Sequence, residues 1–297
     1  MHHRGAPIDA LMSSHVLAFQ ALNGLAWGLI FSLIALGLNL IYGLMGVINI
    51  AHGSLYMLGA VLAWYVVRYT GNFWLGLVVA PLVVAALSVV AERWVLRPAL
   101  GKKIVQGLLA TTGLLLVLDH GVLAAFGGSP QSIPSPLVGS MHLLGITYPL
   151  YRLFVVVAGL VAMLLLWAFL YRTNYGLWMR AVPQNRELAL TVGIPTVRVN
   201  RLTVALGGYF AALAGVLVAP IVSVHYQMGF SVLAPAFIVV VVGGLGSLRG
   251  AILVAILEGE LRGLLSVAFS PPLAEILALV ALTPILIVRP HGLFSVK

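Results

Sequence analysis

The sequence predicts an all-α polytopic membrane protein, and three observations carry that expectation. Hydrophobic residues fill 62% of 297 positions and charged residues only 8%, where a soluble domain carries about a quarter charged. About eight long apolar stretches follow one another along the chain. The positive charges gather between particular pairs of those stretches. With a mean hydropathy of +1.11, the chain cannot build a water-facing surface, so lipid must be its main solvent.

A helix needs about 20 apolar residues to cross the hydrocarbon, so eight crossings with their loops use the whole of 1–297 as one transmembrane domain. The opening MHHRGAPIDALMSSH leads into an apolar run at about 17–38 that is too long for a cleaved signal core, so the segment is read as retained. Further spans are expected at about 47–67, 74–96, 104–126, 150–171, 202–222, 231–254 and 273–288. The stretch 39–53 is apolar but broken by Asn39, Gly43, Gly46, Asn49, His52 and Gly53, which predicts a discontinuous helix.

Charge sets the sidedness. Glu92, Arg93, Arg97, Lys102 and Lys103 follow the third span, and Arg172, Arg180, Arg186, Arg198 and Arg201 face only Glu187 in the loop 172–201. Both loops read as cytoplasmic. Residues 127–149 carry no Lys or Arg and are rich in Pro, Ser and Gly, and 221–230 is uncharged, so both read as external. Three crossings before the 97–103 loop put the amino terminus outside despite Arg4, whereas Arg289 and Lys297 suggest an inside carboxyl terminus. That requires an odd number of crossings after residue 230. Either the glycines of 243–250 divide their segment into a half-helix or re-entrant piece, or there are nine crossings.

The formal charge of +9 fits the cytoplasmic loops of a membrane protein. No long basic run with interleaved aromatics occurs, so nucleic acid is not an expected partner. The lack of cysteine excludes disulfides and thiolate metal sites, and no HExxH-type set points to an embedded enzyme.

Four constellations carry the chemistry. In GLMGVINIAHGSLYMLGA at 43–60, Asn49 and His52 are three apart and would share a face of a helix. Polar groups at membrane depth face the bundle interior or a wet cavity. Asn39, Tyr42, Asn49, His52 and Ser54 are therefore candidates for lining a translocation path, and a polar clamp between helices is the alternative. In 176–200, PQNRELALTVGIP predicts a short helix of roughly two turns, with Pro183 near its start and Gly193 just after its end. Arg180, Gln184, Asn185, Arg186, Glu187 and Gly193 then belong to a cytoplasmic docking helix or to an anchor on anionic lipid.

The third constellation, GGLGSLRGA at 243–251, concentrates Gly243, Gly244 and Gly246 at a turn or a close backbone contact. It is not a phosphate loop, because GxxxxGK[ST] occurs nowhere. Nucleotide chemistry is therefore not expected on this chain. The fourth is a seam of Gly207, Ala211 and Gly215 that allows close helix approach, within the chain or between subunits. Gly43 and Gly46 join it as packing or gating glycines. Glu258 and Arg262, four apart, suit an intrahelical ion pair, and no set of buried acids converges into a proton relay.

With GLMGVINIAHG at 43–53, ERWVLRP at 92–98, FGGSPQSIPSP at 126–136, MRAVPQNRELALTVGI at 179–194, VVGGLGSLRGA at 241–251 and RPHGLF at 289–294, the chain resembles permease subunits of bacterial ABC importers for branched-chain amino acids, from about residue 20 to 294. The resemblance implies a multi-pass inner-membrane subunit that is itself no enzyme and holds no cofactor. Its implied partners are a second permease, homologous or identical, two cytoplasmic ABC ATPases carrying ATP and Mg, and an external solute-binding protein. The 183–194 segment looks like the family's coupling helix. Ser54 departs from the acidic residue frequent at that position, which weakens the match to leucine, isoleucine and valine systems. Similar permeases move urea, short amides or aromatic acids. An ion-coupled secondary transporter is the reading from another class.

Overall fold

The computed structural model describes residues 14–143 and 145–294. Arg4 and Lys297, used above to orient the termini, lie outside them.

The chain is mostly helical. Helix α1, Ser14–Met45, has no charged residue and is apolar on nearly every face. A helix of that kind belongs in the middle of a bundle, and most of it is buried. Around it run α2 (His52–Thr70) and α3 (Phe73–Ala91), the latter continued by a π-helical turn at Glu92–Leu96 and a last turn at Arg97–Ala99. They are followed by α4 (Ile104–Phe126), α5 (Leu150–Arg172), two short helices α6 (Asn174–Ala181) and α7 (Arg186–Thr191), and α8 (Thr196–Val218). The chain finishes with α9 (Met228–Gly243), α10 (Leu248–Leu265) and α11 (Pro271–Val288).

Six helices among the described residues are long and apolar enough to cross a membrane, and α9 is a shorter apolar one. The span expected at 231–254 is thus two helices, parted at 244–247, and the break expected at 39–53 narrows to 46–51 because α1 stays helical to Met45. In both places the chain leaves the helix where a glycine takes positive φ: Gly46 at 64° and Gly244 at 106°.

The loop 127–149 is not structureless. Ser140–Leu143 (β1) pairs antiparallel with Ile146–Pro149 (β2), matching Ser140 to Pro149 and Met141 to Tyr148. Four-residue strands leave too short a pattern to be read from sequence. Tyr148 is buried, packs edge-on against Phe19 and shares Asn23 of α1 with Arg152, which fastens the hairpin to the amino-terminal end of α1.

Small residues set the packing. Gly24 and Gly28 of α1 interlock with Gly259 and Gly263 of α10: a Cβ at Gly28 would lie 2.9 Å from the Ile256 Cα, and one at Gly263 2.5 Å from the Gln20 carbonyl. Both pairs are GxxxG spacings, the pattern that brings helices together in lipid, and the sequence reading missed them. The seam it did name is internal. Gly207 meets Gly37 and Ile41 of α1, Gly208 meets Ser88 of α3, and Gly215 meets Tyr56 and Ala60 of α2.

Outside this core, α3, α4, α5 and α11 turn large apolar side chains outward, Val117 (69% exposed) and Leu165 (65%) among them. A soluble surface does not carry such contiguous patches. Aromatics mark both ends of the bundle, as at membrane interfaces. Trp64, Tyr65, Trp74, Phe126 and Phe154 cluster at one end and Trp167, Tyr171, Tyr175 and Trp178 at the other. At the first end Asn72 caps α3, its side chain accepting from the amides of Trp74 (2.9 Å) and Leu75 (3.2 Å). Asn72→Ala is expected to lower stability by about 1 kcal/mol, a small shift readable in thermal unfolding of the detergent-solubilised protein.

Candidate functional sites

The two helix breaks face each other, and Asn39 joins them. From the last turns of α1 its Nδ2 donates to the Ser247 carbonyl at 2.8 Å, and its Oδ1 accepts from the Gly246 amide at 2.6 Å. Gly43, one turn on, comes so close that a Cβ there would sit 3.2 Å from the Gly246 Cα. Gly246, at φ 84°, fits a left-handed turn that side chains disfavour. Ser247 then caps α10 by accepting from the Gly250 amide at 3.2 Å. Gly243 and Gly250 close the neck from either side, each leaving no space for a Cβ on the other. The tail seals it: Leu293 and Phe294 donate their amides to the carbonyls of Val242 (2.9 Å) and Gly243 (3.2 Å). The RPHGLF motif is thus the cover of the GGLGS motif.

The first break holds the remaining polar candidates. Asn49 lies in the non-helical 46–51 stretch and His52 opens α2, so the two do not share a helix face as the spacing suggested. Their link is a backbone one, the His52 amide donating to the Asn49 carbonyl at 3.2 Å. His52 Nε2 lies 3.0 Å from the Ile34 carbonyl of α1. Ser54 Oγ donates to Asp119 Oδ1 of α4 at 2.7 Å, and Thr111 Oγ1 reaches the Ile48 carbonyl at 3.2 Å. Asn39, Asn49, His52 and Ser54 are all buried, and Tyr42 is half-buried, its carbonyl accepting from the Gly46 amide. Asn49 Oδ1 and His52 Nδ1 are buried without a partner among the described residues. Asp119 and Thr111, absent from the candidates, are brought to this break by the inner stripe of α4, Gly107, Thr111, Leu115 and Asp119, an i, i+4 series that the sequence displays.

Arg262 does not pair with Glu258. It bonds Glu275 of α11 at 3.0 Å and stacks over Trp27 at 4.7 Å. Both carboxylate oxygens of Glu258 are buried and unpartnered among the described residues. The aromatic face of α1 draws the guanidinium across the helix. No group of three or more His, Cys, Asp or Glu fit to hold a metal occurs among the described residues.

The second candidate site is the segment between α5 and α8. Arg180 lies over the Tyr171 ring at 4.4 Å, and its carbonyl accepts from Gln184 at 3.1 Å, so both are engaged within the segment. Asn185 is the N-cap of α7, accepting from the Leu188 amide at 2.9 Å. Glu187 sits in the first turn, where the helix dipole favours a negative charge. Gly193, at φ 80°, ends the helix in a Schellman motif: Gly193 donates to Leu190 (3.0 Å) and Ile194 to Ala189 (2.9 Å). These caps hold a six-residue helix that is too short to be stable alone. Ala189 anchors it inward, while Leu188 (59% exposed), Leu190 (54%) and Val192 (66%) are exposed after the exposed Arg186 and Glu187. Those three apolar side chains were not among the sequence candidates.

A buried acid links α8, which follows this segment, to the end of α3. Glu92 makes a forked pair with Arg97 (3.0 and 2.7 Å) and lies 3.9 Å from Arg201 of α8.

The chain matches the family described as branched-chain amino acid transport system/permease component over residues 20–288. It is 30% identical to the high-affinity branched-chain amino acid transport system permease protein LivH of Escherichia coli K12, over 96% of this chain and 98% of that one. It is 28% identical to BraD, named likewise, of Pseudomonas aeruginosa, over 93% and 95%. Among solved structures, PsaBC from Streptococcus pneumoniae in complex with Fab has the same fold, with a TM-score of 0.51 at 15% identity over 96% of this chain and 95% of that one.

Proposed function

Because the chain belongs to the branched-chain amino acid transport permease family, we propose that it is the membrane-spanning permease subunit of an ATP-driven ABC importer for branched-chain amino acids in a bacterial inner membrane. The partners in this reading are a second permease, two cytoplasmic ATPases and an external binding protein that hands over the solute. Nine crossings account for the helices: α1 to α5, then α8 to α11. They leave the amino terminus outside, the carboxyl terminus inside, and both arginine-rich loops inside.

The observation that carries the reading is α7, a capped helix presenting Leu188, Leu190 and Val192 to water at the arginine-rich end. Apolar side chains held rigidly outside the hydrocarbon fit a groove on another protein. Closure of the ATPases would move α7 and hence α8. Glu92 and Arg201 carry that displacement to α3, and α8 packs on α1 and α2 beside the two breaks. Asn39, Asn49, His52 and Ser54 are in this account the polar elements that rearrange as the path opens.

The test is uptake of radiolabelled leucine, isoleucine and valine into proteoliposomes containing the permease pair, the ATPases and the binding protein. Uptake is expected only with internal ATP and the binding protein. Uptake driven by a proton or sodium gradient without ATP would make the chain a secondary transporter. ATP-dependent uptake of urea, short amides or aromatic acids instead would leave the importer and change the cargo.

A further inference from the structure

Between the end of α3 and the outer face of α4 lies an open groove of about 530 Å³ that the importer reading leaves unused. Its α4 wall is Gln106, Ala110, Gly113, Leu114 and Val117, a face of the helix distinct from the stripe packed on the first break. From Gln106 to Val117 the wall is about 16 Å long, close to half of a hydrocarbon core of about 30 Å. The groove is therefore one leaflet deep. Across from it the π-helical turn carries Trp94 and Val95, with Pro98 following. Such turns insert an extra residue and are frequent at functional sites. Gly113 leaves the floor open, since a Cβ there would meet no atom within 4 Å.

The groove is polar at one end only. Lys102 lines its mouth, with Lys103 next in the chain, and Arg93 lies over the Trp94 ring at 5.7 Å. None of these three cations forms an ion pair among the described residues, whereas Arg97 is held by Glu92. A second copy of the same face, meeting it about a two-fold axis, would bring like charges together. A free phosphate would leave the apolar wall uncovered. An anionic headgroup with an acyl chain satisfies both ends.

We infer that this groove binds an anionic phospholipid of the cytoplasmic leaflet, its headgroup at Lys102, Lys103 and Arg93 and one acyl chain along Gly113 to Val117. The inference rests on the membrane reading and on the inside placement of the 97–103 loop. It does not depend on the solute or on the ATPases. Each lysine near an anionic headgroup contributes enough for about a fivefold change in occupancy.

The experiment is native mass spectrometry of the full-length chain, with whatever subunits remain attached, from micelles doped with phosphatidylglycerol or with phosphatidylcholine. Phosphatidylglycerol is expected to be retained in preference. Lys102→Gln should lower its retention about fivefold, and Gly113→Leu, which fills the groove, should abolish the preference. Equal retention of the two lipids, or retention unchanged in both variants, overturns the inference. The native chain has no cysteine, so Gly113→Cys supplies a unique probe. Its disulfide or bifunctional cross-linking to another subunit would assign the groove to a protein interface and likewise overturn it. The readout is retained lipid mass and not uptake, so a failed importer reading and a failed lipid site give different results.

Discussion

A chain carrying Leu188→Asp and Leu190→Asp is expected to insert and fold normally, yet to lose ATP-driven uptake almost completely. Both side chains are more than half exposed, so their replacement opens no cavity, and surface changes of this kind move stability by about 0.5 kcal/mol. Their expected role is in a groove on the ATPase. Truncating a central apolar anchor there costs about 2 kcal/mol or more, and burying a carboxylate in its place costs further. Two such losses exceed about 4 kcal/mol, roughly a thousandfold in affinity. Co-purification of the ATPases with a tagged permease should fail, while the unfolding temperature of the permease alone stays close to wild type. Reversing the exposed charges, Arg186→Glu with Glu187→Arg, should impair ATPase binding less, because rim charges act mainly on association rate and salt dependence. Full co-purification with the double aspartate variant would remove α7 from the coupling role and take with it the main support for the motor reading.

The parts of the fold legible in the sequence were those written in strong local patterns. Long apolar runs gave most of the helices. Glycine with asparagine or serine marked both breaks, because backbone that leaves a helix needs φ values and caps that few residues supply. The short helix α7 could be read from its flanking Pro183 and Gly193 before any contact was known, although it starts only at Arg186 with Asn185 as its cap. What was not legible depends on which elements meet. Asn49 and His52 are three apart, but helical spacing means nothing when the helix begins at His52. Arg262 has an acid four residues before it, but Trp27, Phe31 and Glu275 on other helices decide where it points. Asn39 was legible as a costly polar residue in an apolar stretch, though as a helix breaker and not as part of the helix that runs through it. Its partners, more than 200 residues away, were not. Gly24, Gly28, Gly259 and Gly263 did carry a visible GxxxG signal that went unused.

Asn39→Leu is expected to be the most disruptive single change within the bundle, although leucine has similar volume and suits an apolar helix better. The asparagine side chain supplies a donor to the Ser247 carbonyl and the acceptor of the Gly246 amide. Without it, the Gly246 amide loses its partner at a site where Asn39 itself is 1% exposed, and the Ser247 carbonyl keeps only the Ala251 amide. An orphaned backbone group costs about 1–3 kcal/mol and the lost second bond about 1 kcal/mol more, so the change costs about 2–4 kcal/mol, a large part of a typical stability of about 5–15 kcal/mol. The bond to Ser247 is buried, so water does not readily replace it there. The 244–247 turn should then relax, releasing the tail at Leu293 and Phe294 and the packing of Gly43 on Gly246. The unfolding temperature in detergent should fall by roughly 5–15 °C, and uptake should fall with it through reduced folded protein. Gly246→Ala attacks the same turn through its positive φ at about 1–2 kcal/mol, and should give a smaller drop in the same two measurements. A leucine variant that kept its unfolding temperature and its quantity in the membrane but no longer moved solute would reverse the assignment. Asn39 would then act on the passing solute and not as the bolt between the two breaks.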